Sequence, residues 1–424
     1  MTSLGLLLSV LKVVVVMMML LKLVPLLIWI ERKGAAFIQD RRGPNRATAF
    51  GIIRLGGIVH SIADAIKLIT KTDFSSEHAN KALVILAPII AVFVAISVSA
   101  VIPFAEAFTI NGVSFQLQIS DLNAGLIYIF ALSSLSIYAL LLAGWGSNSK
   151  FSLLGAVRAS SQMVSYEIAL GLSVVPLFML SESFRINDIV ASQGVSLLSW
   201  NIVRAPLAFI LFFTALFAEA NRTPFDLPEG EAELTAGFHT EYSSMRFALF
   251  FLGEYTHIIV GSLLVTMLFF GGWNIPYVSS EYLHHNIEHV LRLLSIGGAV
   301  FAALGAAGLF NRFVKRRGFW GDLRDYESFL FAVILAGLAA GLAAAVFALT
   351  GATLPEWVGS IAVFLLQMIV VLTKTLFFIW TFIWVRWTLP RFRYDQLMKL
   401  GWKVMIPLGI LNIFVTGVVL LLTH

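Results

Sequence analysis

Between Glu219 and Arg246 the string EANRTPFDLPEGEAELTAGFHTEYSSMR carries Glu219, Asp226, Glu229, Glu231, Glu233 and Glu241 against only Arg222 and Arg246, a sum of −4. Carboxylates so close raise one another's pKa, and partial burial raises it further, so such a loop can hold and exchange protons near neutral pH. A plainer reading has Asp226, Pro228 and Glu229 opening a short helix, with a capping side chain and an acidic first turn answering the dipole. One helix start needs one cap, which leaves Glu231, Glu233 and Glu241 unaccounted for. Glu167, Glu219 and Glu254 fall within or at the ends of apolar runs. An ionised acid at a bilayer centre costs roughly 2.5 to 3.5 kcal/mol on insertion scales, so such acids usually face a protein interior or a wet cavity, often as proton relays. Lys374, inside another apolar run, is a candidate counter-ion. Lys12 and Lys22 read as snorkelling or protein-facing.

The elements that position these groups follow from composition. The chain has 424 residues, 59% hydrophobic and only 12% charged, with a mean hydropathy of +0.89. Soluble chains run near 25% charged, so too little polar surface remains to clothe a soluble core. With no cysteine there is no disulfide, no thiolate zinc site and no iron-sulfur cluster of the Cys₄ kind. A spanning helix needs about 20 apolar residues, and runs near 5–30, 82–103, 124–143, 161–180, 202–218, 247–271, 291–310, 329–350, 361–385 and 404–422 predict about ten spans in an all-α polytopic membrane protein. The run at 202–218 is the weakest, with Arg204 at its start and Glu219 at its end. Twenty-three of the 29 basic residues fall on one set of alternate loops. The positive-inside rule makes that face cytoplasmic and puts both termini outside. The acidic loop lies on this same face, where every other loop is basic. Gly337 and Gly341, four apart, predict close helix packing.

Two basic segments share that face. IERKGAAFIQDRRGPNRA, ending in the turn residues Gly43, Pro44 and Asn45, precedes HSIADAIKLITKTDF, where Asp64, Ala65, Lys67, Leu68 and Lys71 fit an amphipathic helix along the interface. WVRWTLPRFRYDQLMKLGWK carries Arg386, Arg391, Arg393 and Asp395. Headgroup attraction explains many of these cations, but not Glu31 or Asp64. His285 and His289 have the spacing of a metal pair and stand away from the acids. Phosphate-loop, dinucleotide-binding, HExxH and nucleophile-elbow motifs are absent from the sequence.

The strings ERKGAAFIQDRRGPN, ADAIKL, AEANRTPFDLPEGEAELTAGFHTEYSSMRFALFFLGEY and RFRYDQLMKLGWK resemble the H subunit of bacterial proton-pumping NADH:quinone oxidoreductase, respiratory complex I, the counterpart of mitochondrial subunit 1. The likeness covers roughly residues 5–272 and 361–422. It implies a protein that joins the membrane arm to the hydrophilic arm and forms much of a quinone access chamber. Glu167, Glu219 and Glu254 would belong to an acidic channel leading toward antiporter-like subunits. Asp226, Glu229, Glu231 and Glu233 would belong to the loop linking chamber to channel, and Glu31, Arg32, Arg41, Asp64, Phe251, Tyr255, Arg386 and Arg391 would match the cavity or its entrance. Quinone, as ubiquinone or menaquinone, is the implied substrate, with no metal or flavin in this chain. Partners would be the hydrophilic-arm subunits carrying the terminal iron-sulfur cluster, small membrane and antiporter-like subunits, and lipid, but no nucleic acid; NADH would bind another subunit. The bacterial cytoplasmic membrane is the implied location.

Two departures stand out. The interval from Asn45 to Ala63 is longer than the family pattern, and residues 275–360 exceed its eight-span plan. The chain therefore divides into 1–274, an added two-helix hairpin over 275–360 with a basic turn at Arg312 to Arg324, and 361–424. Rival readings are a homologous subunit of a membrane-bound hydrogenase or other-donor quinone reductase, and a self-contained cation/proton transporter. The last predicts repeated halves and interrupted helices, neither of which the sequence displays.

Overall fold

In oil a backbone satisfies its polar groups only by closing them within the segment, so each long apolar run becomes a helix. The computed structural model describes residues 3–74, 76–110, 113–227, 237–316, 323–349 and 355–423. Among them nine helices are long and apolar enough to cross a membrane: Leu7–Ile38, Lys81–Val101, Gly125–Gly146, Lys150–Ser181, Ser244–Phe269, Ile287–Lys315, Glu327–Phe347, Glu356–Thr388 and Tyr394–Leu422. The protein is all-α and polytopic. Among the described residues its one sheet is a small antiparallel hairpin, β1 (Phe108–Ile110) with β2 (Val113–Phe115).

The helices are α1 (Ser3–Ile38), α2 (Val59–Thr70), α3 (Lys81–Ser97), α4 (Gly125–Gly146), α5 (Lys150–Ser181), α6 (Ile186–Gln193), α7 (Pro206–Glu219), α8 (Ser244–Phe269), α9 (Ile287–Arg316), α10 (Glu327–Leu349), α11 (Glu356–Thr388) and α12 (Ile406–Thr423). Where a fifth span was expected, α7 has 14 residues. At 1.5 Å per residue it rises about 21 Å, short of a hydrocarbon core of roughly 30 Å. Its first turn is set by Pro206, and just before it the Asn201 amide donates to the Leu268 carbonyl near the end of α8 (2.8 Å). Having started at that end of the bundle, α7 stops partway through, so Glu219 lies beside Ser133 of α4 instead of at an interface.

The opposite end gathers the C-terminal turns of α1 and α11, the start of α3, the junction of α4 with α5, and the start of α8. Two contacts show the gathering: Asn80 N–H donates to the Gly146 carbonyl (2.8 Å), and Phe392 N–H to Pro224 (3.0 Å). α5 holds both flanks of the acidic loop. Its buried Gln162 donates to the carbonyls of Ala218 (2.9 Å) and Phe225 (2.8 Å). Nearly three turns earlier, Ser152 donates to Phe238 (2.8 Å). Between them Gly155 lies so close to Gly237 that an added Cβ would stand 2.7 Å from its Cα. At the far end Arg185 donates to Asp121 (2.9 Å), and that bond holds the carboxyl below the usual carboxylate range.

α2 behaves as an interfacial helix. Its Ser61 donates to the Pro25 carbonyl of α1 (3.1 Å) and its Asp64 pairs with Arg32, while Ile62, Ile66 and Ile69, at one-turn spacing, are exposed. The long interval before it folds back on itself. Ala49 and Ile53 pair across a tight bend, and the His60 ring accepts from the N–H groups of Arg46 and Ala47 (both 3.0 Å).

α9 and α10 pack on each other along their length. The close approach expected at Gly337 and Gly341 falls elsewhere, since an added Cβ at either would meet nothing within 4 Å. Gly298 and Gly305, two turns apart on α9, take the Leu342 and Leu335 side chains instead, at 3.1 and 3.2 Å from an added Cβ.

Gln162→Leu keeps most of the side-chain volume and orphans two buried carbonyls at about 1–3 kcal/mol each. We expect limited proteolysis of the purified protein to cut within residues 219–241 at least about tenfold faster than in the parent. Unchanged cleavage would remove Gln162 as the anchor of that loop.

Candidate functional site

Glu31 and Arg32 lie near the C-terminal end of α1, and Arg41 lies just past it. Together with Gly43, Pro44, Arg386 and Trp387 they line a cleft of about 620 Å³. The cleft exists because α1 and α11 come very close here: a Cβ on Gly34 would stand 1.8 Å from the Trp387 indole. Arg386, in the last turn of α11, forms an ion pair with Glu31. Asp64 stands outside the cleft and reaches it only through its ion pair with Arg32.

From Glu31 a line of polar contacts runs inward. The Tyr255 hydroxyl of α8 donates to Glu31 Oε2 (2.7 Å). Over the Tyr255 ring, 4.4 Å from its centroid, lies the guanidinium of Arg222, a residue only 5% exposed. That cation also stands 3.6 Å from Glu254. A buried guanidinium needs such company, because an unpaired charge taken out of water is costly. In parallel, Arg391 donates to buried Asp226 (2.7 Å), so the start of the acidic loop is fastened to the segment after α11. Phe251 packs against Tyr255, with ring centroids 6.3 Å apart.

Glu254 and His257, one turn apart on α8, line a cavity of about 30 Å³ with Glu219, Asn221 and Ser136. A neighbouring cavity of about 20 Å³ shares Glu219 and His257 and adds Ser133. One water needs roughly 10–15 Å³, so each has room for one or two. Past Glu219 the line continues to Glu167 on α5, which acts on it electrostatically and accepts from the Ser134 hydroxyl of α4. Glu167 also lines a lateral cleft of about 660 Å³ with Tyr138, Met398 and Trp402. Asp226 and Glu31 at one end and Glu167 at the other are thus joined by Tyr255, Arg222, Glu254, His257 and Glu219.

Of the residues singled out by sequence, Glu31, Arg32, Arg41, Arg386, Tyr255, Phe251, Asp226, Arg391, Glu254, Glu219 and Glu167 fall on this assembly. Glu229, Glu231 and Glu233 lie outside the described residues. Lys374 does not meet the acids. Its ammonium donates to the carbonyls of Phe270, Gly272 and Asn274 (2.9, 2.9 and 2.7 Å) beyond the opposite end of α8 and lies 4.5 Å over Trp200. His289 faces the Arg292 guanidinium (3.0 Å), a poor neighbour for a metal ion, and no group of three metal-ligating side chains occurs among the described residues. Sequence reading passed over His257 and Arg222. The signal for the first was its position three residues after Glu254, which places both on one helix face. Arg222 looked like one more loop charge.

Comparison with known proteins agrees with this arrangement. The family described as NADH dehydrogenase matches residues 11–417. The first of two H subunits of NADH-quinone oxidoreductase from Cytophaga hutchinsonii is 40% identical over 392 residues, covering 92% of this chain and 90% of that protein. The chain belongs to the H-subunit family of NADH-quinone oxidoreductase. The H subunit of Bdellovibrio bacteriovorus is 38% identical, covering 97% of this chain and 95% of its own; the second H subunit of Geobacter sulfurreducens is 41% identical with the same coverage. Membership in this family makes the chain a membrane subunit of an enzyme complex.

The Glu31–Arg386 pair is partly shielded, with side chains 15% and 31% exposed. Its worth falls between that of a surface pair and a buried one, about 1–3 kcal/mol. In a thermal-stability cycle of Glu31→Gln, Arg386→Ala and the double variant, we expect the double to lose less than the two singles together. Simple additivity would uncouple the two residues.

Proposed function

We propose that this chain is the membrane subunit of a proton-pumping NADH:quinone oxidoreductase, that a quinone headgroup docks in the cleft lined by Glu31, Arg32, Arg41 and Arg386, and that its reduction drives protons through Glu254, Glu219 and Glu167. The observation that carries this reading is the continuous link from the cleft through Tyr255 and Arg222 to the buried acids.

Quinone reduction consumes two electrons and two protons. Guanidinium and hydroxyl groups at the cleft suit the two quinone oxygens, and a cleft near 620 Å³ is of the usual size for a ligand of this class, roughly 300–1,000 Å³. Because the chain has no cysteine, electrons arrive from a partner, a hydrophilic subunit carrying the terminal iron-sulfur cluster. Negative charge arriving in a low-dielectric chamber raises the proton affinity of nearby carboxylates. Tyr255 and Glu31 are the first groups to feel it, Glu254 and Glu219 the next. His257, between the last two, is a further carrier of protons in the same cavities.

The loop bearing Glu229, Glu231 and Glu233 would gate exchange between chamber and file, and the lateral cleft at Glu167 would face the antiporter-like subunits. The quinone is ubiquinone or menaquinone. The membrane is the bacterial cytoplasmic membrane, with the basic face inside and both termini outside.

The test is Glu254→Gln in membranes bearing the whole complex. Quinone-dependent NADH oxidation and proton uptake are both expected to fall about tenfold or more, equivalent to about 1.4 kcal/mol on the barrier. NADH oxidation by a water-soluble acceptor reduced upstream should be unchanged. Normal quinone-dependent rates and normal proton uptake would remove Glu254 and the file from the mechanism.

A further inference from the structure

The α9–α10 hairpin contributes nothing to the file of acids, yet it is fastened to the loop that leads into the quinone cleft. Glu327, the first residue of α10, accepts from the backbone N–H groups of Arg54 (2.9 Å) and Leu55 (2.6 Å) and from Arg54 Nε (2.8 Å). Both side chains are about nine-tenths buried, at 10% and 11% exposed. Beside this clasp opens a separate cleft of about 710 Å³ between the end of α1, the 42–56 loop and the hairpin.

Its rim holds four cations, Lys33, Arg42, Arg54 and Arg312, against two carboxylates, Asp325 and Glu327. Glu327 is committed to Arg54, and the Lys33 ammonium is held at the rim by the Arg42 carbonyl (2.9 Å). The remaining walls are apolar, with Trp29, Phe37, Leu309, Phe313 and Phe331 among them. The hairpin surface continuing from these walls is bare of protein. In the apolar windows of its two helices only 11% and 6% of residues are buried, and Leu304 and Phe301 stand wide open on α9. A polar rim with an excess of cations therefore sits where two helices meet the hydrocarbon.

We propose that this cleft binds an acidic phospholipid, with its phosphate against Lys33, Arg42 and Arg312 and its acyl chains along α1 and α9. A neutral quinone headgroup would leave the excess cations uncompensated. A soluble anion would leave the apolar walls wet. A phosphodiester on two hydrocarbon chains satisfies both, and guanidinium forks match its oxygens. The lipid then seals the hairpin onto the same loop that Glu327 clasps from the other side.

A photoactivatable phosphatidylglycerol with its reactive group near the headgroup, supplied in vesicles to the assembled complex, tests this. We expect it to label residues 33–42 and 309–314 at least fivefold more than the matching phosphatidylcholine probe, with no displacement by excess inorganic phosphate. Arg312→Gln combined with Arg42→Gln should cut the labelling severalfold, and Arg312→Lys should keep most of it. Equal labelling by the choline lipid, displacement by free phosphate, or full labelling of the double variant would each overturn the proposal. If the double variant does not assemble, the two probes compared on the parent complex decide the matter. Because no step of quinone reduction is read, failure here leaves the proposed function standing.

Discussion

A charge placed among hydrocarbon must bring its partner with it, and that constraint organises this protein more than any apolar contact does. Apolar helices in lipid have little reason to prefer one neighbour over another, since the solvent is as oily as the interface. The ion pairs supply the preference. Glu31 binds Arg386, 355 residues away in sequence, and Asp226 binds Arg391, 165 away. Each pair draws α11 and the segment after it onto the early helices. Such pairs add little net stability over a well-packed apolar substitute. Breaking one partner, however, leaves a stranded charge at about 3–5 kcal/mol when fully buried. Their effect is to select one arrangement of helices.

The same rule explains the two ends of the bundle. At one end, Lys374 answers the carbonyls left open where α8 finishes, as a cation near a helix C-terminus should. It needs no acid there. Toward the other end, α7 stops early and so delivers Glu219 into the interior, next to the Glu254–Arg222 pair and His257. α5 then acts as the fixed spine for the loop that follows, holding it by Gln162 on one flank and by Ser152 and Gly155 on the other. Shortness in one helix and hydrogen bonding from another together create a polar interior within an apolar bundle.

The hairpin shows how an appended element is integrated without repacking a core. It buries little of itself. It touches the functional region through one carboxylate that satisfies two backbone donors and one guanidinium at once. A clasp of this kind is specific because all three donors must converge, and it couples the hairpin to the loop before α2 whatever covers the rest of its surface.

The sequence by itself determined the class of the molecule, the helical runs, the interfacial helix and the family resemblance, because hydropathy and motif strings are local properties that add along the chain. It also located most of the functional acids, since an acid in an apolar run is conspicuous wherever it points. Only the tertiary structure decided partnership. It gave Lys374 to three carbonyls, Arg222 to Glu254 and Tyr255, Arg54 to Glu327, and the tight glycine contacts to Gly298 and Gly305. It also shortened the fifth helix and drew His257 into the acid cavities. A partner depends on which helix faces meet in space, and residues hundreds of positions apart carry no mark of each other until the chain has folded.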